Sequence, residues 1–372
     1  MRSSGRSGKK SQSVIPRSIP VTAAIVALIG LAACSSSPGT APKVAPPGAV
    51  LLKGAGATLP APLYRKWFDA YQQANPKLVV DYDAVGSGEG IRRFTGLNVP
   101  DAERVDFGAS DAAMTDDQIS KVPQGAVLLP ATATGVVLAY NLPSVTADLR
   151  LSRAAYTGIF LGEIKSWDDP RIAAANPGVK LPRLTIVTAV RQDASGTTFA
   201  MTNHLSAISP AWQSAYGAAT LVNWPGASMR GKGNERVAAL VQTSVGSVGY
   251  VGLEFARKLG LKTAILENKQ GRFVQASDQS VSAALASAEL PPNLRLFVPD
   301  PSGADSYPIV TFSWVLLYRN YNDPAKAQAL REVFGWSLRN GQEYARKMGY
   351  VPLPDSVNAK ALAALDSVGP VH

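Results

Sequence analysis

Three short stretches carry the residues best suited to chemistry, and they share one pattern. Gly54-Ala55-Gly56-Ala57-Thr58-Leu59-Pro60, Gly86-Ser87-Gly88-Glu89-Gly90 and Asp193-Ala194-Ser195-Gly196-Thr197-Thr198 each set glycines and hydroxyl residues directly before a segment of helical periodicity. A helix that begins there offers N–H groups without an intrahelical acceptor at its positive end, and the hydroxyl adds a further donor; an oxyanion requires such a set. One stretch of this kind is most often a plain helix cap, and Ser87 and Ser195 are ordinary N-cap residues. Three of them together with Arg191 point further, because a strand ending near Val190 would deliver the guanidinium fork and Ser195 to one loop. Asp111, at the end of Asp106-Phe107-Gly108-Ala109-Ser110-Asp111, is the odd member. An ionised carboxylate only accepts hydrogen bonds, so it belongs beside an anion only if that anion brings a proton.

Other chemistries are poorly supplied. Gly86-Ser87-Gly88 lacks the G-x-S-x-G frame of a serine hydrolase, and the two imidazoles are His204, in a helical run, and His372, the last residue. Both read as surface or partly packed side chains, so catalysis is not expected. Two histidines, one cysteine and no dense carboxylate motif give no metal site, and no cofactor is implied. Trp67, Trp167, Trp212, Trp224, Trp314 and Trp336 are spread at helix or strand spacing, as core residues are, rather than grouped as a sugar platform. Lys232, in Gly231-Lys232-Gly233-Asn234, fits a turn before a helix better than an outer attractor for a ligand.

The elements that must hold these loops alternate. Short apolar runs at 78–85, 105–109, 127–129, 135–140, 184–190, 248–251 and 312–318 are predicted strands, with helical segments between them. That alternation predicts an α/β protein with mostly parallel strands covered by helices. Leu63, Trp67, Ala70 and Tyr71 share one face of a helix opened by Pro62, and Asp323-Pro324 opens another in which Leu330, Phe334 and Leu338 recur. The second is interrupted at Gly341 and should form a final helical pair.

With 372 residues and 46% hydrophobic side chains, the chain can build two ordinary domains. Its N-terminus carries Arg2, Arg6, Lys9, Lys10 and Arg17 without an acid, then an apolar run from Ile19 to Ala33 that ends in small residues before Cys34. Such a run is short for a membrane span and has the form of an export signal over 1–33. Cys34 is the single cysteine, so no intrachain disulfide forms; Leu31-Ala32-Ala33-Cys34 resembles a bacterial lipobox, which implies cleavage before Cys34 and lipidation of its thiol. Residues 34–49, rich in serine, proline and alanine, are expected to be a flexible tether. The formal charge is +10; without the five basic residues of the signal, 32 Lys and Arg face 27 acids, a net of +5. That excess can steer anions but lacks the clustered basic and aromatic surface of a nucleic-acid binder, so nucleic acid is not expected as a partner.

Taken together, these residues resemble a known family: the periplasmic phosphate-binding proteins (PstS family) of the Pst phosphate ABC transporter. The resemblance runs from about Lys53 to Leu353 through GAGATLPAPLYRKW at 54–67, VGSGEG at 85–90, DFGASDA at 106–112, FLGEIKSWDDP at 160–170, RQDASGTTF at 191–199 and GKGNERVAALVQ at 231–242. It implies a two-lobed type II periplasmic binding protein fold with a two-segment hinge, crossing near Ala131 and near Ile309. Lobe I would then comprise 50–131 and 310–372, and lobe II 132–309.

Carried onto this sequence, the family's phosphate ligands fall on Thr58, Leu59, Ser87, Asp111, Arg191, Ser195, Gly196 and Thr197, with Asp193 holding Arg191. The implied function is phosphate binding in the cleft and delivery to the permease subunits, and through them to the ATPase, by a monomeric, exported, membrane-anchored receptor in the periplasm or at the cell surface. Arsenate, which shares phosphate's charge and protonation, is an alternative ligand, and a surface or sensor protein without transport is an alternative role. Three departures matter. Leu59 stands where phenylalanine is expected, although the main chain supplies that contact, and Glu89 stands where a small residue is common and should face solvent. Residues 96–104 are expected to form a longer surface loop.

Overall fold

The computed structural model describes residues 43–286 and 289–371. The export signal, Cys34 and most of the tether lie outside these residues. In chain order the elements that position the site are β1 (Val50–Gly56), α1 (Ala61–Ala74), β2 (Leu78–Asp83), α2 (Ser87–Thr95), β3 (Phe107–Ser110) and β4 (Ala126–Tyr140). They continue with α3 (Arg153–Phe160), β5 (Val187–Arg191), α4 (Gly196–Ile208), β6 (Ser228–Gly231), α5 (Gly233–Thr243), β7 (Ser247–Gly252) and α6 (Leu253–Lys258). The last are β8 (Val310–Tyr318), α7 (Pro324–Asn340) and α8 (Asp355–Leu365).

The strands form one path in the order β2-β1-β3-β8-β4-β7-β5-β6. At one end β1 lies parallel to β2 and β3; at the other β5 lies parallel to β6 and β7. Between these parallel sets, β8 runs antiparallel to β3 and β4, and β4 antiparallel to β7. The two apolar runs at 127–129 and 135–140 are therefore not separate strands but one, which pairs with β8 over Ala126–Gly135 and with β7 over Val136–Tyr140. The small residues at 131–135, which have the composition of a connection, are buried because both halves of the sheet close over them. Gly54–Gly56 completes β1.

Two apolar cores flank this path. In one, Trp67, Phe68, Phe107 and Phe334 interlock, with the Phe107 and Phe334 rings edge-to-face at 5.1 Å. Trp67 also donates its indole N–H to the Gly341 carbonyl at 2.8 Å, which ties α1 to the end of α7. The other core holds Tyr140, Trp167, Trp212, Trp224 and Tyr250. The tryptophans are core as expected, except that Trp336 is half-buried against Tyr71 and Tyr344. Asp323 caps α7 and Gly341 ends it, but the expected helical pair is extended by α8.

His204 departs from expectation. It is buried in α4 between the Tyr156 hydroxyl, 2.9 Å from Nε2, and the Pro299 carbonyl, 2.6 Å from Nδ1. This part of α4 is covered by α3 and by the segment before β8. Residues 96–104 do form a surface loop, with a short 3₁₀ turn at Asp101–Glu103.

Candidate anion-binding site

The loops that follow the carboxyl ends of β1, β2, β3, β5 and β6 converge, as ligand-binding loops do in α/β sheets. Thr58 and Leu59 lie between β1 and α1, Ser87 opens α2, Asp111 follows β3, Arg191 ends β5, and Ser195, Gly196 and Thr197 begin α4. All are buried, with Thr58 the most exposed at 7%. Contacts join them directly. Ser87 Oγ accepts from Asp111 N at 3.1 Å, Gly88 N donates to the Ala194 carbonyl at 3.0 Å, and Arg191 Nη1 lies 3.4 Å from Thr197 Oγ1. Gly196 faces Asp111 and Ser87 so closely that a Cβ there would stand 2.7 Å from Asp111 Cα and from Ser87 Oγ.

Each donor has a local cause. Gly86, not Ser87, is the N-cap of α2: its φ of 101° is a turn that glycine adopts readily, and it leaves Ser87 in the first turn with its hydroxyl facing Asp111. Ser195 is the N-cap of α4, its Oγ accepting from Thr198 N at 3.2 Å. The Ser195 N–H is spent on the Thr220 carbonyl at 2.8 Å, so this residue meets the anion with its hydroxyl and not its N–H. Gly196 and Thr197 supply first-turn N–H groups that have no intrahelical acceptor.

Arg191 is clamped from one side. Its Nε donates to Asp193 Oδ1 at 2.8 Å and its Nη2 to Oδ2, which leaves N–H groups on both terminal nitrogens directed elsewhere. Burial raises the Asp193 carboxyl, but hydrogen bonds and charge from Arg191, with the Gly233 N–H at 3.1 Å, outweigh it and hold Asp193 low and ionised. Asp193 thus neutralises and orients the guanidinium.

Asp111 behaves oppositely. Burial pushes it up to about 7, against the opposing pull of the Ser313 hydroxyl, the Arg191 charge and Ser87. Ser313 Oγ donates to Oδ1 at 2.5 Å, which leaves Oδ2 as the acceptor available to a ligand. Glu89 points away from this centre. It pairs with Arg92 at 2.7 Å and Arg93 at 2.8 Å, and the Arg92 hydrogen bonds foremost hold it down at about 2. Its expected exposure to solvent is only partial.

Sequence reasoning missed two residues of this cluster. Ser313 sits inside β8, where Phe312-Ser313-Trp314 looks like ordinary buried strand. Asn234, the second residue of α5, is fully buried and donates from Nδ2 to both Thr58 Oγ1 and Thr197 Oγ1 at 3.1 Å. The Gly231-to-Asn234 turn was the signal, since it repeats the glycine-then-helix pattern after β6. Lys232 beside it is exposed. Among the described residues no group of His, Cys, Asp and Glu is placed to hold a metal ion, and no helix is long and apolar enough to cross a membrane.

Known proteins share this architecture. A sequence profile of the PBP superfamily domain matches residues 37–340. The chain is 38% identical over 315 residues to the phosphate-binding protein PstS of Pasteurella multocida, covering 84% of this chain and 89% of that one. It belongs to the PstS family of phosphate-binding proteins. A more distant PstS, from Methanocaldococcus jannaschii, is 34% identical and covers 92% of this chain and 93% of its own. Among solved structures, a periplasmic phosphate-binding protein, PfluDING, bound with phosphate at pH 8.5, superposes with a TM-score of 0.70 at 22% identity, over 84% of this chain and 93% of that one. A phosphate-binding protein from Stenotrophomonas maltophilia superposes with a TM-score of 0.68 at 22% identity, over 85% and 94%. The fold is accordingly the two-lobed type II periplasmic binding protein fold of the PstS family.

Proposed function

We propose that this chain binds inorganic phosphate between its lobes and hands it to the permease of an ABC importer, without catalysing a reaction. The observation that carries the reading is the meeting of helix starts after β1, β2 and β5 around one buried arginine and one buried acid, Asp111, whose Oδ2 is free to accept. Thr58, Leu59, Ser87, Ser195, Gly196 and Thr197 supply donors, Arg191 supplies charge and a fork, and Asp111 accepts the ligand's proton. The names of the PstS relatives support phosphate as the ligand.

The lobes are 50–131 with 310–372, and 132–309, with crossings near Ala131 and Ile309. The continuity of β4 through both strand sets supports the first crossing. The protein is exported by residues 1–33, anchored by lipidated Cys34 through a tether to residue 49, and works as a monomer in the periplasm or at the cell surface. The test is equilibrium dialysis of the mature protein against labelled phosphate, with sulfate and arsenate as competitors and Arg191→Ala as control. Saturable phosphate binding that sulfate does not displace and the variant lacks is the expected result. Equal displacement by sulfate, or retention by Arg191→Ala, would overturn it.

A further inference from the structure

With the lobes divided as proposed above, residues 290–300 form a strap that leaves lobe II, touches lobe I and returns. Its outward half is held by lobe I. The Leu290 carbonyl accepts from Lys360 Nζ of α8 at 2.8 Å, and Arg295 donates from Nη1 to the Met114 carbonyl at 3.1 Å and from Nη2 to Asp116 Oδ1 at 2.5 Å. Its return half is held by lobe II. Asp300 pairs with both terminal nitrogens of Arg153 in α3, at 2.8 and 3.0 Å, the Pro299 carbonyl meets His204 of α4, and the Phe297 ring lies 5.1 Å from that of Phe199, also in α4.

The turn between the halves aims Arg295, and it is strained. Leu294 is buried at a φ of 57°, a left-handed conformation that a bulky side chain rarely adopts. It is held there by its carbonyl, which accepts from the indole N–H of Trp314 in β8 at 2.8 Å, and by its own N–H on the Pro291 carbonyl at 2.9 Å. Asn293 Oδ1 accepts from Arg295 N at 3.1 Å, so the backbone that carries the guanidinium is fixed before it meets lobe I. The place it meets lies three residues beyond Asp111: Met114 is buried, and Asp116 opens a short helix at Asp116–Ser120 that Thr115 caps. The strap thus joins α4, whose first turn carries Gly196 and Thr197, to the loop that carries Asp111.

We propose that Arg295 is a latch between the lobes: it closes on Met114 and Asp116 when the lobes meet, slows their reopening, and so sets how long phosphate stays enclosed. The proposal rests on phosphate binding between the lobes. Of the two partners the carbonyl matters more. The Asp116 side chain is 90% exposed, and an ion pair so placed is screened by water, whereas Met114 is 1% exposed and its carbonyl receives a charged donor.

The experiment is stopped-flow release of inorganic phosphate from the loaded mature protein, with urea melts in the presence and absence of phosphate, for wild type, Arg295→Ala, Arg295→Lys and Asp116→Asn. Arg295→Ala should release phosphate about tenfold faster, the scale of one charge-assisted hydrogen bond, at a nearly unchanged association rate, because the latch forms after the anion is enclosed. Asp116→Asn should change release by less than about threefold, and Arg295→Lys, which keeps the charge but not the fork, should lie between the two. Without phosphate the lobes are free to part and the latch contributes nothing, so Arg295→Ala should leave the urea midpoint unchanged there and lower it only in phosphate. Equal lowering in both conditions would show that Arg295 merely supports the fold, and wild-type release from Arg295→Ala would show that the contact plays no part in closure; either result overturns the proposal. If Arg295→Ala fails to fold, Arg295→Lys decides: faster release supports the latch and wild-type release overturns it. A wild type that does not bind phosphate would instead overturn the functional reading, and the proposal with it.

Discussion

Replacing Asp111 by asparagine should change which anions the protein accepts more than how it folds. Asp111 is 1% exposed, and Ser313 occupies its Oδ1 at 2.5 Å, so Oδ2 is the group the anion meets. Phosphate near neutral pH brings a P–OH to it, whereas sulfate brings only acceptors. An acceptor buried against an acceptor costs about 1–3 kcal/mol, and more when both are charged, so wild type should disfavour sulfate by roughly tenfold to a hundredfold. The amide introduced by Asp111→Asn could donate to a sulfate oxygen, and that margin should largely disappear. Wild-type sulfate binding should also vary with pH. The carboxyl is raised to about 7, so it is mostly protonated at about pH 6 and mostly ionised at about pH 8. Sulfate does not titrate in this range, so its affinity for wild type should fall by about tenfold across it, following the ionised fraction of Asp111. In Asp111→Asn it should stay flat. Isothermal titration with sulfate alone reads both effects. Sulfate binding no stronger in a folded Asp111→Asn than in wild type would refute the argument.

Three other side chains give expectations of the same kind. Arg191→Lys replaces a fork held by Asp193 with a point charge, and phosphate affinity should fall about a hundredfold, the loss of roughly two charge-assisted hydrogen bonds; a change under about threefold by calorimetry would count against the assigned role. Gly196→Ala would put a methyl 2.7 Å from Asp111 Cα, so it should hold the lobes apart, with a larger radius of gyration by X-ray scattering in phosphate and weakened binding at near-normal thermal stability. An unchanged radius and affinity would show that closure does not bring these loops together. His204, lowered to about 4 chiefly by burial, stays neutral in the fold while the unfolded chain takes up a proton below about pH 6.5. His204 therefore contributes a loss of at most about 3 kcal/mol as pH drops from about 6.5 toward 4, opposed by the raised carboxyls of Asp111 and Glu254, and His204→Gln should remove that contribution, changing the wild-type slope in urea melts. A variant with the wild-type slope would place the effect elsewhere.

Much of this was legible in the chain because its cause is local. Glycine and hydroxyl residues before a helix act through their own backbone, so Thr58, Ser87 and Ser195 could be named from neighbouring residues alone. Ser313 and Asn234 could not be placed that way. They reach Asp111 and Thr58 across sequence separations of 202 and 176 residues, and neither reveals in its own segment that it has a buried polar partner. His204 was misjudged for a related reason, since its burial comes from Tyr156 and Pro299, far from α4 in sequence. The continuity of β4 was hidden as well. Its middle, Ala131-Thr132-Ala133-Thr134-Gly135, has the small residues of a connection, and only the pairing with β8 on one stretch and β7 on the next makes it a strand.

A crystal structure of the mature protein grown with phosphate decides whether these loops form one binding site. One anion should be enclosed by Thr58, Leu59, Ser87, Arg191, Ser195, Gly196 and Thr197, with its protonated oxygen against Asp111 Oδ2 and away from Thr58 and Thr197. Phosphate found outside this cluster, or with Asp111 turned from it toward solvent, would show that these residues do not form the binding site.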